Sequence, residues 1–206
     1  MKTKNNIPEV NFKNELLDLG FEIISLNYLF AINEEHELQH PHRINFFAIL
    51  FITNGKGSHS IDFKEYPYEK HDVLFIGSEQ IHSWTKYKNV EGFVIFFTED
   101  FLQKNQVKFK DVSYSYPYNS VLFKPVVSLK DESVLLTFNG LVNYLHNEYN
   151  QSESEEKQEI LQCLLRTFLL KIRVHNKQFV SIYQNDKTDL FIRFQSLLTK
   201  KISSSR

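Results

Sequence analysis

Along the first 128 residues, apolar positions fall into short blocks separated by turn-forming residues; beyond that point they recur with a helical period. Residues 21–30 (FEIISLNYLF) read as a strand. Residues 44–53 (INFFAILFIT) form a longer strand that is almost wholly apolar, which predicts cover on both faces. Asn54-Gly55-Lys56-Gly57 follows, and an Asn-Gly pair supplies the positive-φ residues of a tight hairpin. Residues 58–63 alternate, Tyr66-Pro67-Tyr68 is short and extended, and residues 72–76 (DVLFI) make a strand stopped by Gly77-Ser78. Residues 81–84 and 92–97 complete the set. Short strands at this spacing, with turn signals between them, predict an antiparallel barrel or sandwich. Residues 11–19 read as a short turn, and residues 99–105 as one helical turn.

After residue 128, Val134, Phe138, Leu141, Leu145 and Tyr149 share one helical face, flanked by Leu135 and Val142. Residues 150–156 are a polar connector, in which Ser152 and Glu155 have the spacing of a capping box. A second helix carries Ile160, Leu164, Phe168 and Ile172 on one line and Leu161, Leu165 and Leu169 beside it. A short connector between two amphipathic helices predicts an antiparallel hairpin. A third helix is expected from Asp186, with Leu190, Phe194 and Leu197 or Leu198 on one face.

Composition narrows the function classes. With 24 Lys+Arg against 25 Asp+Glu in 206 residues, the chain lacks the basic excess of a protein that neutralises phosphates over its whole surface. Cys163 is the single cysteine, so no internal disulfide or thiolate cluster can form. Its place on the apolar side of the second helix predicts a small core residue. A polar start with no apolar run behind it predicts no secretory signal and no membrane span, and a cytoplasmic location. Aromatics are plentiful, with 19 Phe and 10 Tyr, as suits strands and small-molecule pockets.

Histidine offers the best candidate chemistry. His40 and His42 lie two apart, on one side of an extended segment, and His82 opens another strand. Such a set could bind a divalent metal, or hydrogen-bond an organic ligand in a pocket. The strand after His42 carries no acid to complete a catalytic metal site, and no nucleophile elbow or phosphate-binding glycine loop is present.

Residues 42–97 resemble the ligand-sensing domain of the AraC (arabinose-regulator) family of bacterial transcription factors. The shared pattern is a histidine, a long apolar strand, a Gly-x-Gly turn and a further strand. A segment with Asp, an apolar run and His-x-Trp follows, and then an apolar strand ending in Phe. Here these are His42, residues 44–53, Gly55-Lys56-Gly57, residues 58–63, residues 71–84 ending in His82-Ser83-Trp84, and residues 92–97. His71 replaces a usual Gly, and Ala48 replaces the Glu of metal-binding cupins.

The resemblance implies an α+β fold: a cupin-like antiparallel β-barrel (double-stranded β-helix or jelly roll), followed by an antiparallel helical hairpin and a linker helix. The expected divisions are an N-terminal arm at 1–20, an effector-binding barrel at 21–127, a dimerisation hairpin at 128–180 and a linker helix at 181–206. A small organic effector would contact His40, His42, Ala48, His82 and Trp84. A homodimer would form through Phe138, Leu141, Leu145, Leu161, Leu165 and Phe168. DNA would be bound only through a helix-turn-helix region outside this chain, and no cofactor, catalytic residue, metal or membrane is implied. The competing expectations are a metal-dependent cupin isomerase or dioxygenase using His40, His42 and His82, and a free-standing ligand-binding protein.

Overall fold

A computed structural model of the chain describes residues 7–12, 19–103, 124–151 and 154–176. Two long antiparallel strands form the centre: β4 (Phe47–Ile61) and β7 (Ile81–Phe97). Each has two shorter strands end to end along its other edge. On β7 these are β3 (His42–Ile44) and β2 (Phe21–Ser25); on β4 they are β5 (Lys64–Glu69) and β6 (Asp72–Ile76). The outermost positions are taken by β1 (Glu9–Val10), parallel to β3, and β8 (Val126–Ser128), antiparallel to β6. The result is an α+β fold built on one large, mostly antiparallel sheet.

The apolar run in β4 is covered on both faces, as its composition requires. Ile49 and Phe51 face a core shared with the C-terminal helices. Ala48, Leu50 and Ile52 face a second core with Leu74, Ile76, Trp84 and Val94.

Several expected boundaries are corrected. Residues 21–30 are not one strand: β2 stops at Ser25, whose hydroxyl accepts from the Tyr28 N–H at 3.1 Å and starts helix α1 (Leu26–Ile32). A second short helix, α2 (Glu35–Gln39), opens with a reciprocal Glu34–Glu37 capping box. Asn54-Gly55-Lys56-Gly57 does not turn the chain back. β4 runs through it, with register shifts against β7. Gly55 is at φ 84, and a Cβ there would strike the Asn89 carbonyl, so its glycine serves a bulge. The hairpin comes later, at Asp62-Phe63, with φ values of 50 and 64 between the paired Ile61 and Lys64. Asp62 accepts from Gln80 Nε2 at 2.8 Å and from the Ile81 N–H at 3.2 Å, which offsets the strain of that turn. The expected strands at 81–84 and 92–97 are two ends of β7, continuous through Gly92. Helix α3 (Glu99–Gln103) agrees with the expected helical turn.

The helical hairpin is present as α4 (Glu132–Gln151) and α5 (Lys157–His175). Asp131 accepts from the N–H groups of Ser133 and Val134 at the start of α4. Its apolar faces pack onto the sheet, where Phe138, Leu145, Leu161, Leu165 and Phe168 are buried within the chain and Leu141 is half-buried beside them. Of these six, expected from the resemblance to form a dimer contact, five are at most 1% exposed within the single chain. Cys163 is exposed, not a core residue. Ser152, residues 13–18 of the expected N-terminal turn and the expected helix from Asp186 lie outside the described residues.

Candidate functional site

One face of the sheet lines a cavity of about 530 Å³ between β3, β4, β6 and β7, with β1, α1 and α2 at its mouth. The walls are largely apolar, among them Ile44, Phe46, Leu50, Ile76, Val94 and Phe96. His40, His42, Ala48, His82 and Trp84, singled out from the sequence, all line this cavity.

Their surroundings differ. His40 is exposed at the end of α2, where its Nδ1 lies 3.1 Å from the His36 carbonyl. His42 is half-buried on β3, with Nδ1 2.9 Å from the His40 carbonyl. His82 stands directly opposite His42 on β7, and their rings meet edge to face at 4.3 Å. Ala48 is 1% exposed and leaves room that a longer side chain would fill. Trp84 is buried and boxed by the edges of Phe30, His59, Tyr68 and Tyr87. It is 3% exposed and belongs both to the second core and to the cavity wall.

One further residue, His59, was not singled out for the site. It is fully buried on β4, lines the cavity and stacks on His82 at 5.2 Å. A hydrogen bond of 3.0 Å joins His59 Nε2 and His82 Nδ1, one ring donating its N–H to the other. The alternation in residues 58–63 was the available signal, since it puts His59 on the side of buried Ile61. What hid it is the distance from Ala48, an odd number of residues that simple alternation sends to the opposite face. The bulges between Ile52 and His59 change that alternation and bring both residues to the cavity.

Burial holds both inner histidines neutral. The His59 imidazole is pushed down to about 3, first by loss of solvent and then by His42. His82 is held well below the ordinary range by burial, then by His59 and His42. Their outer nitrogens, His59 Nδ1 and His82 Nε2, are buried without a protein partner, as is the Tyr68 hydroxyl. Among the described residues, no group of three or more His, Cys, Asp or Glu is arranged to hold a metal ion.

Residues 24–169 match the family model of the AraC-like ligand binding domain. No curated protein matches the chain. Among solved structures, the AraC-like transcriptional activator CuxR is similar at 10% identity and a TM-score of 0.40, covering 84% of this chain and 61% of that one. An apo ToxT variant from Vibrio cholerae strain SCE256 is similar at 12% identity and a TM-score of 0.39, covering 77% and 57%. ToxT from Vibrio cholerae O395 bound to (E)-4-(8-methylnaphthalen-1-yl)but-3-enoic acid follows at 14% identity and 0.36, covering 77% and 58%. The chain thus spans about three fifths of the length of these solved chains. Among the described residues, no helix is long and apolar enough to cross a membrane.

Proposed function

The chain belongs to the family of AraC-like ligand-binding domains, and we propose that it is the effector-sensing part of a bacterial transcriptional regulator. The observation that carries this reading is the cavity itself: about 530 Å³, apolar-walled, with buried imidazoles at one side. That is the composition of a small-molecule site, a greasy wall with few polar groups to orient the ligand. His42, His82 and Ala48 would contact the effector, and His40 would stand at the entrance. The walls favour an apolar or aromatic compound. A sugar would bring several hydroxyls against Ile44, Leu50, Ile76 and Val94, where they would lose water without gaining partners.

In this reading the chain is not an enzyme and acts in the cytoplasm. Effector binding shifts the populations of two arrangements of sensor and hairpin, and so the activity of a DNA-binding region outside this chain. Two chains would pair through the outward side of the hairpin, where Leu136 and Tyr144 on α4 and Leu170 on α5 are exposed. A regulator's sensor would be stabilised by its effector as RT ln(1 + [L]/Kd). A thermal-shift screen of aromatic and aliphatic compounds against sugars tests this. Stabilisation by apolar compounds, abolished when Ala48→Phe fills the cavity, is the expected result. Stabilisation by sugars alone, or none by any class, overturns it.

A further inference from the structure

We propose that the cavity is selective for an uncharged, mostly apolar ligand bearing one hydrogen-bonding group, and that the His59–His82 pair reads that group. This rests on the cavity being the ligand site, and adds the ligand's charge and polarity.

The first observation is geometric. His42, His82 and His59 come from three adjacent strands and form a row whose exposure falls inward, from half-buried to 8% to 0%. The single hydrogen bond between His59 and His82 uses one nitrogen of each ring. A neutral imidazole has one N–H and one lone pair. If His59 donates, His82 Nε2 carries the spare N–H and His59 Nδ1 the spare lone pair; if His82 donates, the two are exchanged. Either way the pair keeps one unspent donor and one unspent acceptor at buried, unpartnered atoms. Groups of that kind normally have partners, and a ligand group between the imidazoles and the apolar wall would supply one. His42 packs edge-on against His82 and is tied through Nδ1 to the His40 carbonyl, so the proposal includes a turn of this half-buried ring to admit the group.

The second observation is electrostatic. Among the described residues no lysine or arginine lines the cavity, and its one carboxylate, Glu37, is exposed on α2 at the mouth. A permanently anionic head would find no cation, and a cationic head no buried acid. Burying an unpaired charge costs far more than one neutral hydrogen bond returns. The two tautomeric arrangements further allow the pair to receive either a hydroxyl or a carbonyl.

The test uses the whole chain at pH 7.5 with three probes of one shape: 2-methylnaphthalene, 2-naphthol and 2-naphthoate, measured by calorimetry. Naphthol is expected to bind at least tenfold more tightly than naphthoate. His82→Phe is expected to weaken naphthol about tenfold and to change methylnaphthalene by less than twofold. Because that variant could lose its fold, the imidazole nitrogens of the wild-type chain are also followed by ¹⁵N spectroscopy. Naphthol should move the His82 resonances, and methylnaphthalene should not. Equal binding of naphthoate and naphthol overturns the proposal, as does a naphthol affinity or spectrum indifferent to His82. If methylnaphthalene binds without such discrimination, the cavity reading survives and this proposal falls. If none of the three binds, both fall.

Discussion

His59 Nε2 lies 3.0 Å from His82 Nδ1, and among the described residues neither ring has a carboxylate ion-pair partner. Both rings are neutral because burial penalises their charged forms, and protonating either would place a cation beside the other and beside His42. The unfolded chain has no such restriction, and its histidines take up protons near pH 6.5. Folded His59 does so only at about 3. Below pH 6.5 the unfolded state therefore binds more protons, and stability falls as pH falls. From pH 7.5 to 5.0, His59 alone should account for a loss of roughly 2 kcal/mol, with His82 adding in the same direction. Urea unfolding at pH 7.5, 6.0 and 5.0 measures this. A midpoint that does not decline across that range would show that the pair is charged or open to water in the folded chain.

His71 joins β5 to β6 with φ 73, in the left-handed region that glycine enters without cost. Two backbone hydrogen bonds pin it there: its N–H donates to the Ile52 carbonyl at 2.8 Å, and its carbonyl accepts from Leu129 at 2.9 Å. The conformation is thus imposed by the sheet, which is the physical reason a glycine suits this place in the sequence pattern. His71→Gly should stabilise the chain by roughly 0.5–1 kcal/mol, the relief of left-handed strain exceeding the added entropy of the unfolded glycine. His71→Val should destabilise it, since branching at Cβ makes that conformation costlier still. Denaturant midpoints of the two variants on either side of the parent are the expected order, and the reverse order would contradict the assigned backbone.

How much of this was legible in the chain depended on whether a local signal or a long-range pairing decided the outcome. The hairpin helices were legible because Val134 to Tyr149 and Ile160 to Ile172 keep a helical period without interruption. The strand Asp72–Ile76 was legible because glycine and polar residues bound it. The Asn54-Gly55 turn was misread because the same dipeptide suits a hairpin and a bulge, and only pairing of Lys56 with Lys88 decides between them. Asp62-Phe63 was missed as a turn because its strain is offset by Gln80 and Ile81, far along the chain. At the cavity, His40, His42 and His82 were legible from the spacing of the histidines, and Ala48 and Trp84 from a family pattern. His59 was not, because its face depends on bulges that sequence alternation does not record. The apolar helix faces were visible, but their destination was not: an amphipathic stripe reads the same whether a sheet or a second chain covers it.

That last ambiguity yields a prediction that separates the two roles of the hairpin. Phe168 is fully buried, meets Phe138 edge to face at 5.0 Å, and belongs to the core that joins α4 and α5 to the sheet. Phe168→Ala should cost about 3–5 kcal/mol, as truncation of a buried aromatic does, and should appear in the unfolding of the single chain. Tyr144 and Leu136 stand on the outside of α4, at 53% and 67% exposure, and hold none of that core together. Replacing both by Glu should leave the unfolding free energy of the isolated chain within about 0.5 kcal/mol, the usual range for surface changes. The pairing proposed for this side should then be lost: the parent is expected to sediment as a dimer at micromolar concentration and the double variant as a monomer, and a monomeric parent would overturn the pairing itself. A parent dimer that survives the double change would move the pairing surface away from this side of α4. A dimer lost on Phe168→Ala at unchanged chain stability would instead return that residue to the interface, against its burial here.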